Sequence, residues 1–133
     1  MTAAAGLRFQ GHAALFDRVD RAGDVFRAGA FAGAGIVPLL WQHRGAPAGT
    51  LRAVAEDARG LWVEGVVTDP DAARLVRGGA LPGLSVGFRT VRARQGAWRE
   101  LLAVVLIEVS LVATPMQPGA RIERVDDDFQ QEK

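Results

Sequence analysis

Cysteine is absent from the 133-residue chain. That excludes a disulfide framework and any thiolate metal site, and it suits a reducing compartment. Histidine is almost as scarce, with only His12 and His43, too few for an imidazole-built structural zinc. Lysine occurs once, as Lys133, and the other fifteen basic residues are arginines. Neither sign of charge dominates: the formal net charge is +1 and the pI is near 8.5, so no field steers the chain toward nucleic acid or a membrane. Long apolar runs are missing too. The longest, residues 101–107, falls far short of the ~20 residues of a membrane helix. The first residues lack the basic stretch and apolar run of a signal peptide. Asp126, Asp127 and Asp128 could hold Mg²⁺ or Ca²⁺, but an acidic run near a chain end is ordinarily solvated. No cofactor or metal is therefore expected. Trp41, Trp62 and Trp98 are not interleaved with basic residues as single-strand binding requires, so no nucleic-acid partner is expected.

What remains is an ordinary globular composition, 49% hydrophobic and 23% charged, in a length that suits one domain. Residues 7–16 alternate as a strand does, and 17–24 read as a loop around Gly23. Residues 24–35, rich in Ala and Gly, read as a short helix or irregular turn. The apolar run 36–41 has strand length, with Pro38 near its edge, and 43–47 reads as a loop. Residues 49–56 and 61–68 form a predicted hairpin. Asp69-Pro70 starts a helix that Gly78-Gly79 ends. A second hairpin is expected from 84–94 and 98–112 about Gln95-Gly96, and from Arg121 onward the chain reads as a charged, frayed tail. Six or seven strands with regular turn signals and one helix point to a mainly β barrel or sandwich.

The scarcity of polar actors narrows the chemistry. Only two serines exist, Ser85 and Ser110. Ser85 lies in Gly83-Leu84-Ser85-Val86-Gly87-Phe88, where glycines allow close backbone approach of a substrate. The spacing matches Gly-x-Ser-x-Gly, but the residues that follow read as strand, not the helix that a nucleophile elbow requires. A small residue packed tightly on a strand is the plainer alternative. His43 ends the apolar run Leu39-Leu40-Trp41-Gln42, where an imidazole can be held rigidly as a general base or simply satisfied by a carbonyl. Glu108 interrupts the run Val104-Val105-Leu106-Ile107, so it either faces solvent or is buried with a partner, for which a histidine is suited. Ser110 shares its face and is a rival nucleophile without flanking glycines. His12 is the alternative third member. A serine between glycines, an upstream histidine and a downstream carboxylate are together the parts of a serine hydrolase.

Six blocks in order carry a family resemblance: Phe9-Gln10-Gly11-His12-Ala13-Ala14-Leu15-Phe16, Gly23-Asp24-Val25-Phe26-Arg27-Ala28-Gly29-Ala30-Phe31, Leu39-Leu40-Trp41-Gln42-His43, Gly60-Leu61-Trp62-Val63-Glu64-Gly65, Gly83 to Phe88, and Glu108-Val109-Ser110-Leu111-Val112-Ala113-Thr114-Pro115-Met116-Gln117-Pro118. Together they resemble the prohead maturation proteases of tailed bacteriophages, serine endopeptidases related in fold to the herpesvirus assemblins. The resemblance implies a compact, mainly antiparallel β-barrel with one or two flanking helices. The resemblance spans about residues 7–122, so a protease domain is expected over 1–122, and the charge of 123–133 marks them as an expected flexible tail. The resemblance assigns His43 and Ser85 as base and nucleophile. Assemblins use a histidine after the serine; here Glu108 occupies the comparable place and is taken as the orienting acid. The implied substrate is the phage major capsid protein with its scaffolding segment, cut inside the assembling procapsid in the bacterial cytoplasm, with self-cleavage. The portal and a second copy of the chain complete the expected partners. A non-catalytic barrel that binds capsid or scaffold proteins is the competing reading.

Overall fold

A computed structural model describes residues 6–127. Eight strands and one helix follow in the order β1 (Leu7–Leu15), β2 (Asp24–Phe26), β3 (Leu39–Trp41), β4 (Arg44–Glu56), β5 (Gly60–Val67), α1 (Pro70–Arg77), β6 (Gly83–Gln95), β7 (Arg99–Val112) and β8 (Arg121–Asp127). Hydrogen bonding runs β7-β3-β4-β5-β1-β8-β6, and β6 pairs with β7 to close a seven-strand barrel; β2 pairs with the first residues of β7, Arg99 to Leu101. Closure removes the open edges that would otherwise invite strand addition. Most pairings are antiparallel, as expected. The pairings of β2 and β3 with β7 are parallel.

Alternation builds the interior. In β5, Leu61, Val63 and Val67 are fully buried, and Trp62 and Glu64 are more exposed. Leu39, Leu84, Leu101, Val109 and Leu111 meet them across the barrel. α1 forms as its sequence dictates: Asp69 caps it by accepting from the Asp71 N–H, Pro70 occupies the first turn, and at its end the Gly78 N–H donates to the Arg74 carbonyl and the Gly79 N–H to the Val76 carbonyl. Its Ala72, Ala73 and Val76 side is buried.

Four local readings change. Of residues 24–35, read as a helix or irregular turn, 24–26 form β2 and 27–34 take the turn alternative, with Gly29 and Gly33 at φ of 92° and 80°; the left-handed backbone breaks a helical run at each. The strand expected over 36–41 begins only at Leu39, after the Pro38 carbonyl accepts from the Val109 N–H. Of the expected loop 43–47, His43 lies in a two-residue turn and 44–47 belong to β4, which starts at Arg44. The chain from Arg121 is not frayed: β8 pairs with β1, Gly11 opposite Ile122 and Gln10 opposite Arg124, because the barrel needs that strand to join β1 to β6. The tail expected from 123 is thus in register through Asp127, and residues 128–133 lie outside the described ones.

Candidate active site

Glu108 and Ser110 stand two residues apart on β7, so their side chains leave the same face. β6 lies antiparallel beside them, with Gly87 opposite Glu108 and Ser85 opposite Ser110. Residues opposite one another in such a pair project to one side, which puts Ser85, Ser110 and Glu108 on a common face. On the other flank of β7, β3 runs parallel with Leu40 opposite Ser110. The turn after β3 delivers His43.

That turn is tight. Trp41 pairs with Arg44, leaving Gln42 and His43 as the whole loop. Both have positive φ, 56° and 66°. This is the hand of a type I′ hairpin, which matches strand twist and usually recruits Asn-Gly. Here the loop is anchored by side contacts instead. The Gln42 N–H donates to the Leu111 carbonyl at 3.0 Å, and Gln42 Oε1 accepts from the Ala113 N–H at 3.0 Å. The His43 N–H donates to Ser110 Oγ at 2.9 Å.

The His43 ring meets the acid directly, with Nδ1 2.6 Å from Glu108 Oε2. An ionised carboxylate only accepts, so Nδ1 carries the proton and, in the neutral ring, Nε2 keeps the lone pair. Glu108 Oε1 accepts from the Ser110 hydroxyl at 2.7 Å. Glu108 is therefore the buried, partnered carboxylate of the two readings, with a donor on each oxygen. The His43 side chain is 44% exposed, so the ring is held from beneath and open above.

Gly87 answers to packing, the plainer of the two readings. A Cβ there would collide with Glu108 Oε2 and stand 2.8 Å from the carboxyl carbon. The glycine makes room for the acid. At Gly83 a Cβ would stand 2.8 Å from Pro115 Cδ, so the other flanking glycine also answers to packing within the chain.

Ser85 is buried beside Ser110, one strand spacing away, ~5 Å between Cα atoms. Among the described residues its hydroxyl joins none of the hydrogen bonds, including any to His43. The fold thus joins His43 to Glu108, joins both to Ser110, and sets Ser85 alongside. Ser110, the rival nucleophile, is fully buried and its one proton points to Glu108. Sequence reasoning placed it on the correct face but missed its bridge. The Glu-x-Ser spacing on a strand, next to a buried acid, was the available signal.

His12 lies elsewhere. On β1 it is buried, with Nδ1 2.6 Å from Glu123 Oε2 and Nε2 2.8 Å from Asp57 Oδ2, and Trp62 sits edge-on at 5.0 Å between ring centroids. None of these partners belongs to the His43 cluster. Burial pushes the Asp57 carboxyl up, but hydrogen bonds from His12 and from the Arg59 and Gly60 N–H groups outweigh it and hold the group below its ordinary value. Asp17 and Asp24, at the two ends of the loop before β2, are ion-paired with Arg27 and Arg99, and Asp20 makes the turn between them. Trp41 packs partly against the core and Trp98 is half-exposed. No cluster of metal-ligating side chains occurs among the described residues; Asp128 lies outside them.

Comparison with known proteins adds two kinds of likeness. The family model described as caudovirus prohead serine protease matches residues 2–133. The prohead protease of Enterobacteria phage HK97 is 31% identical over 96 residues, covering 63% of this chain and 43% of that protein. The chain therefore spans less than half the length of that relative. Among solved structures, KSHV protease in complex with a hexapeptide phosphonate inhibitor superposes with a TM-score of 0.59 at 16% identity, over 95% of this chain and 67% of the other. Varicella-zoster virus protease gives a TM-score of 0.61 at 16% identity, over 91% and 64%. At that identity the likeness is one of fold.

Proposed function

The chain belongs to the caudovirus prohead serine protease family, and from that premise we propose that it is a serine endopeptidase in which Ser85 is the nucleophile, His43 the general base and Glu108 the orienting acid. The observation that carries the reading is the bond from His43 Nδ1 to Glu108 Oε2, on the sheet face that also bears Ser85. With Nδ1 tied to the acid, Nε2 is the nitrogen that takes the Ser85 proton as Oγ attacks the scissile carbonyl. The resulting imidazolium is stabilised by Glu108 and returns that proton to the leaving amine. Water then releases the acyl group by the same route. Contact between Nε2 and Ser85 Oγ is assigned to the substrate complex, since catalytic hydrogen bonds often tighten only there.

The substrate is the phage major capsid protein, cut to release its scaffolding segment inside the procapsid, with cleavage of the protease itself. The test is co-expression with the capsid protein and mass analysis of its N-terminus. The wild-type chain should shorten it, and Ser85→Ala and His43→Ala should leave it intact while folding normally. Losses on the order of 10⁶ are typical for removal of a nucleophile or base. Near-normal cleavage by purified Ser85→Ala refutes the assignment. Intact capsid protein with every variant, together with no adduct from a serine-reactive fluorophosphonate, favours the non-catalytic binding module.

A further inference from the structure

We propose that Ser110 is a positioning residue of this site, whose single hydroxyl fixes both the turn that carries His43 and the carboxylate that orients its ring. The proposal rests on the triad reading above and deepens it. Three hydrogen bonds form a closed circuit: His43 N–H to Ser110 Oγ at 2.9 Å, Ser110 O–H to Glu108 Oε1 at 2.7 Å, and His43 Nδ1–H to Glu108 Oε2 at 2.6 Å. A hydroxyl has one proton to donate and lone pairs to accept with. Ser110 uses both functions within the circuit, so it has no proton for the imidazole and is not a nucleophile.

Its place explains why one residue can do this. Ser110 is fully buried, opposite Leu40 of β3 on one flank and Ser85 of β6 on the other. It therefore sits between the strand that delivers the base and the strand that bears the nucleophile. Without it, Glu108 Oε1 loses its donor and the carboxyl can rotate about its last bond. The left-handed His43 backbone loses its acceptor at the same time. Hydrogen bonds linked in series strengthen one another, so both losses act on the ring.

The test uses the full chain with ¹⁵N-labelled histidine and diisopropyl fluorophosphonate as probe. The His43 Nδ1–H proton should appear as a sharp, downfield, slowly exchanging NMR signal in the wild type and in Ser85→Ala. It should broaden or vanish in Ser110→Ala and return in Ser110→Thr. The limiting phosphonylation rate of Ser85 should fall about 10- to 100-fold in Ser110→Ala, with the probe's half-saturation concentration unchanged, as misplacement of a catalytic group predicts. A folded Ser110→Ala that keeps the ring signal and the wild-type rate overturns the proposal, as does an adduct on Ser110 itself. A wild-type chain that is never phosphonylated sinks the triad reading, and the ring signal still decides the positioning role. Should Ser110→Ala fail to fold, hydrogen exchange of the His43 amide in the unmutated chain decides instead. Protection is expected, and exchange at the rate of a free turn amide overturns the proposal.

Discussion

Replacing Gly87 by alanine inserts a methyl group into space that the Glu108 carboxylate already fills. The new Cβ would collide with Oε2 and lie 2.8 Å from the carboxyl carbon. β6 and β7 are paired along most of their length, from Gly83 opposite Val112 to Gln95 opposite Arg99. The backbone therefore has little freedom to retreat, and the side chain must swing away. That breaks two hydrogen bonds to a buried carboxylate, one from His43 and one from Ser110. Bonds to a charged group contribute about 1.5–3 kcal/mol each. Alanine returns about 0.5–1 kcal/mol through its lower conformational freedom in the unfolded chain. A net loss of about 2–5 kcal/mol follows, at or below the low end of the roughly 5–15 kcal/mol of a typical domain. The variant should fold, with a lower urea midpoint. On the proposed function, its rate of capsid cleavage should drop by about 10³- to 10⁴-fold, as when a histidine loses its orienting acid. The cycle with Glu108→Ala isolates the cause. Without the carboxylate nothing is left to collide with, so Gly87→Ala should add no further loss of stability or rate in that background. Additive effects, or a Gly87→Ala chain with wild-type rate and midpoint, would refute the reasoning.

Glu108→Gln keeps shape but removes the charge that faces His43 Nδ1; it should fold and cleave about 10³- to 10⁴-fold more slowly in a timed capsid digest. His43→Gly and His43→Ala both delete the ring, so their difference reports the turn: at a φ of 66° the glycine variant should be more stable by about 1 kcal/mol in urea titration, and equal midpoints would argue against a strained turn. Asp57 has a carboxyl held below its ordinary value, so its contribution is complete above the unfolded value of ~3.9 and fades as pH falls through the lower folded one. The gap in urea midpoint between wild type and Asp57→Asn should therefore be wide at neutral pH and narrow below about pH 4; a gap that widens in acid contradicts this sign.

Legibility from the residues differed by kind of element. The hairpin about Asp57 to Gly60 and the helix after Asp69 were readable because their signals are local: alternation, an N-cap and a proline in the first turn. β8 was not, because a charged strand becomes a strand only when β1 offers it partners. The turn at Gln42 and His43 lacks the usual Asn-Gly signature, and what holds it is contact with Leu111, Ala113 and Ser110, residues about seventy positions downstream.

The chain by itself determined the actors and the faces. With two histidines, two serines and no cysteine, few residues could serve, and a period of two put Glu108 and Ser110 on one side of their strand. Only the closed barrel decided which histidine meets which acid. His12 and His43 each lie against carboxylates, and nothing in their neighbouring residues tells them apart. The parallel pairing of β3 with β7 carries one ring to Glu108, and the antiparallel pairings of β1 leave the other between Asp57 and Glu123. Register between strands distant in sequence is set by burial of the whole sheet, so no local pattern encodes it.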